Sequence, residues 1–210
     1  MFLNLLFIAA SDICLQRTIG NKARWFQLHA FVNMIITIFS FKDIVFVISD
    51  PLKAITVYCD RQVSLLALTL HFYHMIAFKK ITRMDYIHHF LSAFLMGIPS
   101  TLFYHNKLLN ACNFFVCGFP GFCNYACLTA VKHGLIKKIT EKKISSLLNV
   151  YIRQPGILFI IVLNYIAARY KYDPYTPIWL FYIINTILFW NANFFSYEAI
   201  YNYGINKKLM

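Results

Sequence analysis

Asp85-Tyr86-Ile87-His88-His89 opens an apolar run, and it sets a carboxylate and two imidazoles where polar atoms are costly to keep. Imidazole titrates near neutral pH and can act as general base, nucleophile or metal ligand. At helical spacing Asp85, His88 and His89 fall at i, i+3 and i+4 on one face. Asp85 then either orients an imidazole or caps the helix by accepting backbone N–H groups. The preceding apolar run carries His71 and His74, i and i+3 on one face, placed either to join this chemistry or to hydrogen-bond between helices.

The elements that must position these groups are membrane helices. Of 210 residues, 60% are hydrophobic and only 13% charged, which excludes an ordinary soluble domain. A spanning helix needs about 20 apolar residues. Apolar runs lie at Phe2 to Leu15, Trp25 to Phe41, Val63 to Phe78, Tyr86 to Tyr104, Leu108 to Val131, Gly156 to Ala168 and Pro177 to Tyr197. The fold class read from them is all-α: a polytopic transmembrane bundle of about seven spans, with residues 1–210 as a single domain. No basic n-region precedes the first run, so Met1 to Leu15 reads as a retained segment rather than a removable signal.

Two stretches read two ways. Ile144, Leu147, Leu148, Tyr151 and Ile152 recur at helical spacing, so Lys142 to Gln154 is either an amphipathic helix on the membrane surface or the first turns of the sixth span. Gly118, Pro120 and Gly121 interrupt the fifth run and predict a kink. Cys112, Cys117, Cys123 and Cys127 share one apolar stretch without paired spacing and read as small core side chains.

The net charge of +12 does not mark a nucleic-acid binder, because the basic residues sit in short clusters between apolar runs. Thirteen of the 20 lie on one side of the seven-span arrangement, in Arg17 to Arg24, Lys79 to Arg83, Lys132 to Lys143 and Lys207-Lys208. Five lie on the other. The excess assigns the first side, with the C-terminus, to the cytosol. His74 and His71 then lie on the order of 8 and 12 Å inside the cytosolic boundary, and His88 and His89 on the order of 5 Å. A connector of about half a dozen residues makes their two helices antiparallel neighbours, so the four histidines converge in one leaflet.

Leu28-His29-Ala30 opening one span and Asp-x-x-His-His opening a later one resemble the TLC domain family, which includes ceramide synthases and lipid-regulating relatives. The resemblance covers about residues 25–197. It implies an endomembrane location such as the endoplasmic reticulum and a role in lipid metabolism. In ceramide synthases the His pair serves transfer of an acyl group from acyl-CoA, and it matches His88 and His89. That implies His88 and His89 as catalytic residues with Asp85, His74 and His71 around them, and acyl-CoA as co-substrate, with no resident cofactor or metal. Donor phosphates would be received by basic residues, Arg153, Lys137 and Lys138 first. The family's acidic motif has no counterpart in Phe119 to Cys127, so a non-enzymatic lipid-binding or membrane-composition regulator is the second reading. Elongase-type His-x-x-His-His is absent because position 85 is Asp, although a small metal site from His71, His74, His88 and His89 is geometrically open.

Cysteines introduced singly into the Arg17 to Arg24, Lys79 to Arg83 and Lys132 to Lys143 loops should all be labelled from the cytosolic side of sealed vesicles. Labelling of the Lys137 loop from the lumenal side alone would reverse the orientation.

Overall fold

The computed structural model describes residues 1–78, 83–170 and 176–209, apart from the side chains of Met84 and Asp85. These residues form α1 (Phe2–Thr18), α2 (Arg24–Ser49), the one-turn α3 (Pro51–Ala54), α4 (Gln62–Ala77), α5 (83–103), α6 (Leu108–Lys132), α7 (Lys138–Arg169) and α8 (Ile178–Lys208). Among the described residues there is no sheet, only an isolated bridge between Tyr58 and Asn106. Four helices, α2, α6, α7 and α8, are long and apolar enough to cross a membrane, and α4 is apolar but shorter.

The packing is compatible with a helical bundle in a membrane. Ile38, Phe39, Phe41, Val45 and Ile48 on α2 and Tyr182, Ile183, Phe189 and Trp190 on α8 are exposed, while Asn33, Asn110, Asn164, Asn191 and Ser196 are buried. Outward apolar and inward amide side chains are what a hydrocarbon solvent selects. Buried Ile8, Leu28, Val32 and Ile36 form one apolar cluster. A second centres on Val47, Leu108, Ile157, Ile160, Leu180 and Leu188.

The two ends of the bundle are defined by contacts. At one, Gln27 meets His133 at 3.2 Å and the Arg24 guanidinium lies 4.7 Å from the Phe78 ring centroid, which brings together the start of α2 and the ends of α4 and α6. At the other, the Cys59 N–H donates to the His105 carbonyl, the Arg61 guanidinium to Thr101 O and the Thr176 hydroxyl to Phe103 O. The helices therefore alternate in direction. α7 and α8 run antiparallel along a ladder of polar pairs, Ser196 to Asn149, Gln154 to Asn193 and Asn164 to Asn185.

Three boundaries differ from the apolar runs. α2 continues through Lys42-Asp43 to Ser49, because Asp43 is buried against Lys107 Nζ at 2.5 Å and Asn110 Nδ2 at 2.7 Å and so does not interrupt the helix. Residues 142–154 belong to one helix with the sixth apolar run, so the surface-helix alternative does not hold. In α6 the interruption takes the form of a π-helical turn, Phe114–Gly118. Gly121 then permits close approach to α2, since a Cβ there would lie 2.6 Å from Asn33 Nδ2. The six cysteines are free thiols.

Replacing Asp43 with Ala should strip Lys107 of its carboxylate and lower stability in detergent by about 3–5 kcal/mol, the usual result of orphaning one partner of a buried pair. Thermal unfolding of Asp43→Ala against the Asp43→Leu, Lys107→Leu double variant checks this. The double variant should recover most of the loss.

Candidate functional site

π-helical turns recur at Phe90–Gly97, Phe114–Gly118 and Asn149–Arg153, and each is followed two residues later by a proline: Pro99, Pro120 and Pro155. A proline has no N–H for the carbonyl four residues back and its ring crowds that carbonyl, so widening the preceding turn relieves the clash and leaves an oxygen to be used elsewhere. Val116 O is the oxygen that Pro120 cannot serve. It accepts the Arg153 Nε–H at 3.2 Å. Residues of all three turns, among them Ser92, Met96, Val116, Asn149 and Arg153, line one central cavity of about 490 Å³.

His71, His88 and His89 line the same cavity. His71 Nδ1 and His89 Nδ1 stand 3.0 Å apart. Two nitrogens share one hydrogen only if one ring carries Nδ1–H and the other a bare Nδ1, so the two neutral rings are opposite tautomers. The ring that donates through Nδ1 keeps a bare Nε2, which is a base. His88 lies with its ring centroid 5.5 Å from that of His71, and its Nδ1 is 3.4 Å from Ser92 Oγ. The ligating nitrogens of His71, His88 and His89 all fall within 4.8 Å of one another. An ion such as Zn²⁺ can bridge that spacing, with a fourth position toward the cavity.

His74 is 2% exposed and packs edge-on against Trp25 and against His89, with ring centroids 4.4 Å apart in the second contact. It does not line the cavity. Its Nδ1 has no hydrogen-bond partner among the described residues. It supports His89 from behind, while His71 makes the facing contact with the His pair. The Asp85 side chain lies outside the described residues. Lys137 and Lys138 are exposed and are not brought to Arg153, which is half-buried and lines the cavity.

Sequence reading named His29 only for the resemblance and passed over the amides of this wall. His29 donates Nδ1–H to the Trp25 carbonyl at 2.9 Å, stacks on Trp25 and faces Tyr125, and it lines the cavity with Asn33, Asn149 and Asn191. The signal available was amides recurring inside apolar helices, where polar groups seek partners. At the basic end the cavity is bordered by Glu141, paired with Lys142 at 3.1 Å, and by Glu198 with Asn202. Comparison with family models, with curated proteins and with solved structures finds no match to this chain.

His71→Ala and His89→Ala should be non-additive in thermal unfolding by about 0.5–1.5 kcal/mol, the worth of a typical hydrogen bond. His105→Ala, at the opposite end of the bundle, should add independently to either. Full additivity of the first pair would remove the imidazole–imidazole contact.

Proposed function

We propose that this chain is a TLC-like, multi-pass protein of about seven spans that acts in lipid metabolism, transferring an acyl group from acyl-CoA at a histidine site in the cytosolic leaflet. The observation that carries this reading is the convergence of His71, His88 and His89 on the wall of one cavity inside an apolar bundle. Acyl transfer needs such nitrogens beside a space large enough for a lipid chain, which this cavity of about 490 Å³ provides.

His88 or His89 serves as general base or as transient acyl acceptor. In the second case the imidazole nitrogen forms a bond to the thioester carbonyl carbon, the C–S bond breaks, the ring's remaining N–H proton passes to the departing sulfur, and coenzyme A leaves as the thiol. An acceptor hydroxyl or amine then takes the acyl group and returns the proton to the ring. The His71 contact fixes ring orientation and tautomer, and Asp85 is the proposed second orienting group. Lys137 and Lys138, exposed at the end where Lys142 borders the cavity, offer charge to donor phosphates, and Arg153 meets what passes inside. The site belongs in an endoplasmic reticulum or related endomembrane, with the C-terminus in the cytosol. A lipid-binding regulator of membrane composition without catalysis is the second reading. It is favoured by the absence of any carboxylate in Phe119 to Cys127, which faces α2.

The His88→Ala, His89→Ala double variant should still insert and accumulate, because the lost His71–His89 contact is worth only about 0.5–1.5 kcal/mol, and should lose the lipid change that the intact chain produces. Loss of acid-base function alone costs about 10²- to 10⁴-fold in rate. A lipid profile equal to that of the intact chain, while an empty vector differs, would sink the transferase reading and leave the regulator.

A further inference from the structure

We infer that the cavity is a binding site for an anionic, single-chain amphiphile whose carboxylate or phosphate is held by the guanidinium of Arg153. This rests on the reading of the cavity as a lipid site and not on acyl transfer. Guanidinium has five N–H donors and no acceptor. In Arg153, Nε–H goes to Val116 O at 3.2 Å, one Nη1–H to Asn149 Oδ1 at 3.3 Å and one Nη2–H to Asn191 Oδ1 at 2.8 Å. The Phe195 ring lies against the guanidinium, 4.5 Å from Cζ. Three neutral oxygens and a ring thus set the plane of the group. One N–H on each terminal nitrogen is left over, and charge-assisted N–H donors of this kind are what carboxylate and phosphate oxygens accept.

None of these contacts supplies a negative charge. Two other cations packed into the bundle are treated differently: Arg24 binds Asp12 and Lys107 binds Asp43, each carboxylate 1% exposed. Among the described residues no carboxylate lies within ion-pair distance of Arg153. A cation fixed in the wall of a cavity with no carboxylate in contact has unspent charge, and it attracts an anion for that reason. The cavity carboxylates Glu141 and Glu198 are engaged by Lys142 and Asn202.

The rest of the wall defines the ligand's other half. Leu68, Met96, Leu109 and Ile184 give the cavity an apolar lining suited to a hydrocarbon chain. Phe195 also meets His88, with ring centroids 6.1 Å apart. The anion therefore binds one aromatic ring away from the histidine cluster. The shared chemistry is an oxyanion on an alkyl chain, from either a fatty acid or a lysophospholipid.

The test is equilibrium binding to the purified full chain in neutral detergent, with oleate, oleoyl lysophosphatidate and uncharged oleyl alcohol as probes, at a pH that ionises both anions. The intact protein should bind one or both anions about 10- to 100-fold more tightly than the alcohol, the range expected of charge-assisted hydrogen bonds. The tighter of the two anions names the source. Arg153→Gln should lose that preference while retaining the alcohol's affinity, and Arg153→Lys should recover part of it, having charge without the fork. Equal affinity for the alcohol and both anions in the intact protein would overturn the inference with no variant needed. So would undiminished anion binding by Arg153→Gln. His88→Ala, His89→Ala should still bind the anion; if it loses binding as fully as Arg153→Gln, the anion sits on the imidazoles and the assignment to Arg153 fails. Loss of lipid turnover with binding intact bears on the transferase reading alone, and lack of anion preference bears on this inference alone.

Discussion

Helix α2 is held by buried carboxylates at both ends, and the rest of the bundle is arranged around that constraint. At its start, Arg24 binds Asp12 of α1 through Nε at 3.0 Å and Nη2 at 2.5 Å, and Tyr73 of α4 donates to the same carboxylate at 2.7 Å. Toward its end, Asp43 takes Lys107 and Asn110 at the start of α6. Removing charges from water costs several kcal/mol per ion, and the attraction between partners offsets this only in good geometry. Neither clamp survives much relative movement of the helices. With α1, α4 and α6 tied to α2, Trp25, His29 and Asn33 are presented along one wall of the cavity.

The other walls depend on departures from regular helix. In an unbroken α-helix each interior carbonyl already accepts a backbone N–H, so a side chain joins it only as a second donor, as Ser40 does at Ile36 O. The π-turns with their following prolines change that at three places, and Val116 O shows the consequence by receiving Arg153. The turns also carry Ser92 and Asn149 to the cavity, so the irregular backbone lies where polar groups are needed. Irregularity at membrane depth is tolerated where it is buried in protein or lines a cavity. The glycines work to the same end: Gly121 lets α6 approach Asn33, and a Cβ at Gly156 would overlap the Phe115 ring.

Electrostatically the molecule separates two kinds of cation. Arg24 and Lys107 neutralise carboxylates and tie helices together. Arg153 is held by neutral oxygens and keeps its charge for the cavity. A planar group with a fixed fork suits that task better than an ammonium, which is more strongly hydrated and has no preferred plane. The histidines divide in a similar way. His71 and His89 share a hydrogen, while His74 stands behind them among aromatic rings.

Period and composition by themselves determined that the chain is helical and apolar enough for membranes, and they located the helices, because lipid leaves the backbone little alternative to satisfying itself within each segment. They also brought the four histidines to one end of the bundle, with His74 nearest in depth to His88 and His89, since a short connector between antiparallel helices leaves little freedom; the structure makes His71 the one that meets His89. Tertiary structure decided what depth does not encode, which is rotation about each helix axis and its partners. Rotation separates His71, on the cavity, from His74, behind it, although three residues put them on one face. Partnership carries α2 past Lys42-Asp43, because Lys107 lies more than sixty positions away and only folding brings it to Asp43. The same holds for Arg153: Lys137 and Lys138 looked equivalent to it as basic residues, but of the three the structure turns only Arg153 inward, onto Asn191 of α8 and the carbonyl that Pro120 leaves open.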